Sequence, residues 1–298
     1  MRTLRYCKVN MHKILTSPGF YLCVLFTVIL CFTAEAYRDY SDNKVYSVFG
    51  VWLGFSKEEM LTNPGMSAYE MISKATGGWL ATFVPIVAAF PFLPLLCDES
   101  VSKNVRYSVC RETKVSLVVG RFFTAMLSGG LAVLCGFALF TGAVYLMFPN
   151  IGVYTPELRE TTEWWIAGAY PLFPKLGYSY LVMLDFIEMF LYGAFFSIPA
   201  LLVSVFLKNK YFVLCIPFFF KYLVNYIYAG MKIKVYESFG TVEEEVFKML
   251  SAIDPDALEN LFSYGETLWR NLMLHAILLL FAFLLYTIAM NRRVDFGE

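Results

Sequence analysis

The chain has 298 residues, of which 58% are hydrophobic and only 16% are charged, and its formal net charge is zero. This composition excludes an ordinary soluble globular domain and indicates a polytopic membrane protein. The seven cysteines lie in apolar runs or in segments assigned below to the cytoplasm, so no extracellular disulfide framework is predicted.

Six apolar runs are long enough to cross a hydrocarbon core, which takes about 20 helical residues. They predict membrane-spanning helices near residues 18–36, 77–97, 118–148, 178–207, 211–230 and 268–290. Because no repeat and no Gly/Ser linker divides the chain, we expect a single transmembrane domain over residues 1–298. The predicted fold class is an all-α integral membrane protein with six spans.

Basic residues are concentrated on one side of the predicted membrane, in segments 1–17, 98–117, 208–210 and 291–298. Counted with Arg121 at the start of the third span, these segments hold thirteen Lys and Arg residues. The outer loops hold nine, against sixteen Asp and Glu residues, and comprise residues 37–76, 149–177 and 231–267. The positive-inside rule therefore places both termini in the cytoplasm. We expect a multi-pass protein of the cell membrane, in particular a bacterial plasma membrane.

The N-terminal segment interleaves basic and apolar side chains over residues 1–16. This mixture predicts a helix that lies at the inner headgroups. Ser17, Pro18 and Gly19 then turn the chain into the bilayer. A basic tail that only sets the orientation of the protein would carry the same charge, and the sequence leaves this alternative open.

Span two contains Pro85, Pro91 and Pro94, each of which removes a backbone donor. We expect a kink in the inner half of this span. Because broken helices persist at membrane depth only where protein or water satisfies the freed carbonyls, the span should face the bundle interior. A kink without a role in transport is the alternative.

Small residues recur at four-residue spacing in span three, at Ala125/Gly129, Ala132/Gly136 and Ala138/Gly142. Such spacing lets another helix backbone approach closely. Packing within the chain and a seam between two copies would both use it, and the sequence does not separate the two.

Spans four and five carry acidic and basic residues at membrane depth. Asp185 and Glu188 lie three apart, and Lys221 and Asn225 lie four apart, so each pair shares a helix face. Counting inward from the outer end of each span at 1.5 Å per residue places Asp185 and Lys221 roughly 10–14 Å below the outer surface. An unpaired charge there costs at least about 2.5–3.5 kcal/mol, so an ion pair or a wet cavity is expected.

Two hypotheses explain this polar cluster, which His275 of span six and Glu35 at the end of span one would join at similar depth. In the first, the cluster lines a translocation path. In the second, Asp185 and Lys221 form a static ion pair that fixes span four to span five.

Helix-start signals occur in the outer loop 37–76. Ser56 with Glu59, and Ser67 with Glu70, match the capping-box pattern and predict two short helices. We expect a solvated loop, with a cap over a pore mouth as the alternative.

The motifs of common enzyme chemistry are not found in the sequence. It contains neither the G-x-x-x-x-G-K-[ST] loop of ATPases nor a G-x-G-x-x-G fingerprint. With two histidines and no H-E-x-x-H or C-x-x-C pattern, a zinc centre lacks ligands, and no G-x-S-x-G elbow is present. We expect no cofactor, metal or enzymatic activity. An intramembrane enzyme would have only Asp185, Glu188 and His275 as acid/base groups.

Local sequence features mark the ends of the first three spans: residues 11–21 entering span one, Asp98 and Glu99 leaving span two, Arg111 in the charged connection 97–121, and Gly120 with Arg121 entering span three. Together with six spans and two inner termini, they resemble the permease subunits of type-2 ATP-binding-cassette exporters. The resemblance covers nearly the whole chain. A glycine often found after the acidic pair is missing here, and the outer loops are longer than in compact members.

The resemblance implies that the segment after span two forms a cytoplasmic coupling helix, seated in a groove of a separate ATPase subunit that binds the ATP. Asp98, Glu99, Arg106 and Arg111 are then candidate contacts. Two permeases, as a homodimer or a heterodimer, would rearrange spans one, two and five around a central path.

The expected function is therefore that of a permease subunit that exports an amphiphile such as a peptide, lipid or drug, since the walls are aromatic and rich in Met. Its expected partners are the ATPase, a second permease and membrane lipids, with no nucleic acid. The alternative is a secondary transporter or channel that uses Asp185, Glu188 and Lys221.

Overall fold

The computed structural model describes residues 2–39, 43–101, 113–170, 172–237, 261–262 and 265–295. Its helices are α1 (Arg2–Leu15), α2 (Pro18–Thr33), α3 (Val48–Gly54), α4 (Lys57–Thr62), α5 (Ala68–Thr76), α6 (Gly78–Ala89), α7 (Leu93–Val101), α8 (Lys114–Met147), α9 (Pro156–Ala169), α10 (Phe173–Leu176), α11 (Tyr178–Phe206), α12 (Lys210–Glu237) and α13 (Gly265–Asp295). Two strands, β1 (Glu35–Asp39) and β2 (Lys44–Ser47), form one antiparallel hairpin. The described chain is helical, as predicted, apart from this hairpin.

Five helical segments are long and apolar enough to cross a membrane: Gly78–Glu99, Lys114–Val153, Tyr178–Phe206, Lys210–Ile233 and Trp269–Arg292. A sixth crossing is present if α1 and α2, which are bent by 63° at their junction, count as one span. The five segments correspond in range to predicted spans two to six, whereas the first predicted span, residues 18–36, corresponds to α2, which reaches the length of a crossing only together with α1. A multi-pass, helical membrane protein is therefore confirmed.

Ser17 explains the bend between α1 and α2. Its side chain accepts a hydrogen bond from the Phe20 amide at 3.3 Å, and Pro18 begins α2. A serine cap followed by proline is typical of a helix start. The chain therefore begins a new helix at Pro18, which lets α1 lie across the direction of α2. The position of α1 at the headgroups stays a prediction.

The second crossing is broken, as its prolines predict. Helix α6 ends at Ala89 and α7 begins at Leu93, with Pro91 in the break. Pro85 lies inside α6, where its missing N–H leaves the Ala81 carbonyl without the usual helical donor. This carbonyl becomes important for the candidate site below.

Helix α11 packs against α6, α8, α12 and α13. Its contact with α8 is close: a Cβ on Gly129 would lie 2.8 Å from the Ser197 Cβ, and a Cβ on Gly193 would lie 2.8 Å from the Gly129 carbonyl oxygen. A Cβ on Gly142 would meet no atom within 4 Å. At Gly129, the small-residue pattern of span three therefore serves packing within the chain.

Residues 35–39 and 43–76 form an outer layer, named for its predicted side of the membrane. Hairpin β1–β2 and helices α3, α4 and α5 make up this layer. Val48 and Ile72 are fully buried in the same apolar core as the spans. Ser56 caps α4 and Ser67 caps α5, as predicted. The expectation of a solvated loop is wrong, because the apolar faces of these helices pack together.

Candidate functional site

The buried guanidinium of Arg121 joins three helices near the start of α8. Its Nη2 atom donates to Glu99 Oε2 of α7 at 2.6 Å, and its Nε atom donates to the Tyr6 hydroxyl of α1 at 3.3 Å. Arg121 is only 5% exposed. We call Arg121, Glu99 and Tyr6 the inner clamp. Because hydrogen bonds with an ionised donor or acceptor are stronger than neutral ones, the clamp fixes α1 to both helices that flank residues 102–112.

Gly120 explains how Tyr6 comes so close to α8. A Cβ at Gly120 would overlap the Tyr6 ring. Beside it, the Cys7 thiol donates to the Gly120 carbonyl oxygen at 3.6 Å. A larger residue at position 120 would displace the Tyr6 ring from its place against α8. The Gly120–Arg121 pair found in the sequence therefore forms the docking point of α1.

The four candidate coupling residues have different surroundings. Glu99 turns inward and pairs with Arg121, whereas Asp98 is exposed. Arg106 and Arg111 lie outside the described residues. Glu99 was predicted as a contact for a partner subunit, but its carboxylate is engaged inside the protein by a buried cation. Of the acidic pair, Asp98 is the residue presented at the surface.

Lys221 of α12 is buried against α6 and α11. Its ammonium group donates to the Ala81 carbonyl oxygen and, at 2.6 Å, to the Tyr192 hydroxyl. The rings of Tyr192 and Phe196 have their centres 4.9 and 4.5 Å from the same nitrogen. Because Pro85 cannot donate to the Ala81 carbonyl, Lys221 and, at 3.3 Å, the Tyr192 hydroxyl donate to it instead. We call Lys221, Tyr192 and Ala81 the midspan link.

The expected ion pair between Asp185 and Lys221 is not formed in the described part of the chain. Lys221 lies level with Tyr192, which is roughly 10 Å further along α11 than Asp185. The two residues are therefore not level, because α12 continues to Glu237 instead of ending near Gly230.

Asp185 and Glu188 have separate surroundings in α11. Asp185 lies near Tyr69 and Tyr145, and burial, with the nearby Asp185 charge, raises the pKa of the Tyr69 hydroxyl. Its Oδ2 atom is buried and has no hydrogen-bond partner among the described residues. Glu188 is 2% exposed and accepts a hydrogen bond from the Phe262 amide at 2.8 Å. The described turn at residues 261–262 therefore reaches into the bundle.

The other members of the predicted polar cluster lie elsewhere. In α13, His275 Nδ1 lies 2.7 Å from the Asn271 carbonyl oxygen, one turn earlier in the same helix. Glu35 begins β1, in the outer layer, and is exposed. Asn225 follows Lys221 by one turn of α12. Within the ranges that the structure describes, no hydrogen bond or ion pair brings these groups into one cluster.

A cleft of about 280 Å³ opens between α6 and α12 beside the midspan link, and we call it the midspan cleft. It is lined by Thr82, Lys221, Tyr222, Asn225 and Tyr226. Sequence reasoning identified Lys221 and Asn225 but missed the tyrosines. Tyr222 and Tyr226 repeat the four-residue spacing of that pair, which is the signal that could have found them.

Neither a metal centre among the described residues nor a family match identifies the site. In the described ranges, no group of three or more His, Cys, Asp or Glu side chains is placed to hold a metal ion. No protein family matches this chain, and no curated protein matches it.

Proposed function

We propose that this chain is the membrane-spanning permease subunit of an ATP-binding-cassette exporter in a bacterial plasma membrane. The inner clamp is the observation that carries this proposal. It ties α1 to α7 and α8, the helices that lead into and out of residues 102–112. A movement imposed on that connection by a partner would reach α1 and the second and third crossings together.

A separate ATPase subunit supplies the energy, because the chain carries no nucleotide-binding loop of its own. Asp98, exposed at the end of α7, is the first proposed contact, and Arg106 and Arg111 are the others. Glu99 acts from inside by holding Arg121. A second permease, identical or different, completes the path for an amphiphilic substrate.

A secondary transporter or channel is the second candidate. It would require Asp185, Glu188 and Lys221 to share one polar path. Lys221 binds a carbonyl of α6, while Glu188 binds the Phe262 amide. These separate engagements favour the exporter over a path lined by the three residues.

Copurification tests the exporter proposal. The tagged full-length chain is extracted from its own membranes in a mild detergent, and the proteins that remain in fixed proportion are identified by mass spectrometry. We expect a stoichiometric subunit with a nucleotide-binding loop. Ion flux from the purified chain alone in liposomes, with no such subunit in the preparation, would instead support the second candidate.

A matched pair of charge-removing variants locates the contact. Asp98→Asn removes an exposed carboxylate beside the inner clamp, and Glu58→Gln removes an exposed carboxylate in the outer layer. We expect Asp98→Asn to reduce the ATPase subunit retained per permease several-fold, while Glu58→Gln retains it fully. Equal retention by both variants would remove Asp98 from the proposed contact surface.

A further inference from the structure

Helix α1 carries basic side chains on the side that faces away from the bundle. Arg5, Lys8 and His12 are exposed and follow one another at spacings of three and four residues, so they share one face of the helix. Lys13 is exposed beside them. We call these four residues the basic face. Because α1 contains no acidic residue, the helix itself does not balance this positive charge.

The opposite side of α1 holds the helix to the bundle. Tyr6 accepts the hydrogen bond from Arg121, and Asn10 and Ile14 are buried. Within the ranges that the structure describes, no hydrogen bond or ion pair engages a side chain of the basic face. The helix is therefore fixed from one side and presents unpaired basic groups on the other.

Exposed apolar side chains flank the basic face. Leu4 is 76% exposed and Val9 is 50% exposed. At about 100° per residue, they lie on opposite edges of the stripe that Arg5, Lys8 and His12 form. A helix surface that combines basic and apolar side chains in this way is typical of the boundary between head groups and acyl chains, where long basic side chains extend toward the phosphates.

The place of α1 in the fold brings this face to such a boundary. The helix is bent by 63° from α2, which leads into the membrane. It packs on α8 at Gly120 and Arg121, the seventh and eighth of the 34 residues in that helix. A helix bent this far from a crossing, beside the start of another crossing, runs nearer to the plane of the head groups than to the membrane normal.

Charge and extent define the ligand. Arg5 and Lys13 lie roughly 12 Å apart along the helix at 1.5 Å per residue. One phosphate ion does not reach both, whereas neighbouring phosphates of a lipid surface do. An acidic protein would have to displace the head groups from the same place and cover Leu4 and Val9. The phosphates of anionic phospholipids therefore fit the basic face best.

We propose that the basic face of α1 binds the phosphates of anionic phospholipids and that the bound lipid holds α1 on the inner clamp. Arg5 and Lys8 are the main charge partners, with His12 and Lys13 beside them. Because Tyr6 lies on the other side of the same helix, lipid that fixes α1 also keeps the Tyr6 hydroxyl at Arg121. The binding needs no ATPase subunit, so it does not depend on the exporter proposal.

Lipid retention tests the charge requirement. The purified full chain in a neutral detergent is titrated with phosphatidylglycerol and, separately, with phosphatidylcholine of the same acyl chains, and native mass spectrometry counts the lipids bound per chain. Each basic side chain near an anionic lipid surface contributes roughly fivefold in affinity. We therefore expect the first phosphatidylglycerol to bind about tenfold or more tightly than the first phosphatidylcholine. Equal affinities would overturn the proposal.

Matched double variants locate the binding. Arg5→Gln with Lys8→Gln removes two charges from the basic face, and Lys208→Gln with Lys210→Gln removes two exposed cations at the start of α12, on the same predicted side of the membrane. The first pair should weaken phosphatidylglycerol binding about tenfold or more and leave phosphatidylcholine binding unchanged. The second pair should change neither. No loss in the first pair, or an equal loss in both pairs, refutes the basic face as the site.

Hydrogen–deuterium exchange tests the effect of the lipid on α1. The full chain is placed in phosphatidylcholine nanodiscs with or without phosphatidylglycerol, and amide exchange is followed in peptides from residues 3–15. We expect phosphatidylglycerol to slow this exchange several-fold in the parent chain and not in the Arg5/Lys8 double variant. Unchanged exchange in the parent chain would show that the lipid does not hold α1 in place.

A partner protein is the other occupant that the experiments distinguish. If the Arg5/Lys8 double variant loses a copurifying ATPase subunit while its phosphatidylglycerol affinity is unchanged, the basic face belongs to that subunit and the lipid site is refuted. An ATPase that copurifies with a chain that does not prefer phosphatidylglycerol would refute the lipid site alone. Preferential phosphatidylglycerol binding without any ATPase would refute the exporter alone.

Discussion

Two buried cations lie in different surroundings in this protein. Arg121 of the inner clamp and Lys221 of the midspan link are 5% and 4% exposed. The guanidinium of Arg121 binds the Glu99 carboxylate, whose shape matches its fork of donors. The ammonium group of Lys221 binds a backbone carbonyl and a hydroxyl and lies over two aromatic rings.

The difference concerns what each cation depends on. The inner clamp consists of side chains from three helices. Its strongest contact is an ion pair at the end of the bundle. The midspan link requires a defect in one helix, since Pro85 makes the Ala81 carbonyl available. The clamp is therefore suited to transmit movement between helices, and the link is suited to hold a charge at a fixed depth.

Breaking the inner clamp should have the largest effect. Arg121→Met leaves Glu99 partly buried without its cation, and removing one partner of a buried pair costs about 3–5 kcal/mol. Because the Glu99 side chain keeps 19% exposure, we expect a loss near the lower limit of that range. The midpoint of thermal unfolding in detergent measures it, with Arg5→Met, an exposed cation on α1, as the control.

The double variant Glu99→Gln with Arg121→Met separates the ion pair from the packing of the two side chains. It removes both charges, so it should lose less stability than the sum of the two single variants. A loss equal to that sum would mean that the clamp acts by packing alone.

The midspan link should respond to a change in α6. Lys221→Met removes one of the two donors to the Ala81 carbonyl and leaves the longer bond from the Tyr192 hydroxyl, so we expect a cost of about 1 kcal/mol. Pro85→Ala returns an N–H to the helix, which then satisfies this carbonyl itself. In the Pro85→Ala background, Lys221→Met should therefore cost less, with a coupling of about 1 kcal/mol in thermal unfolding.

A second proline provides the control for this cycle. Pro199 lies inside α11, a different helix from the one that carries the Ala81 carbonyl, so it does not replace the donor to that carbonyl. The costs of Pro199→Ala and Lys221→Met should add. If the stability costs of the Pro85 and Lys221 substitutions also add, the Ala81 carbonyl freed by Pro85 does not hold the lysine in place.

Local features of the fold could be predicted from the sequence. The lengths of the apolar runs predicted the spans, and the prolines predicted the break between α6 and α7. Ser56 and Ser67 marked two helix starts. Each of these depends on residues close together in the chain. The sequence also pointed to Gly120 and Arg121, although not to what they bind.

Partners that lie far apart in the chain could not be predicted. Tyr6 and Arg121 are separated by 115 residues, and Lys221 and Ala81 by 140. A backbone carbonyl has no signature in the sequence, so charge matching selected Asp185 as the partner of Lys221. Pro85 was the available signal, because a proline four residues after Ala81 implies a free carbonyl at that position.

The smallest effect on stability should come from a substitution at Gly120, against which the Tyr6 ring packs. This substitution tests whether the inner clamp depends on the close approach of α1 and α8. Gly120→Ala places a Cβ against the Tyr6 ring and should cost about 1 kcal/mol, the lower limit for overpacking, since the ring can move. Gly142→Ala, in the same helix but facing open space, should be neutral or stabilising by up to about 1 kcal/mol. In a Tyr6→Ala background the Gly120 substitution should lose its cost, because the ring it displaces is gone. A cost that persists there would mean that Gly120 matters to α8 alone, and that α1 is held to Arg121 without the close contact.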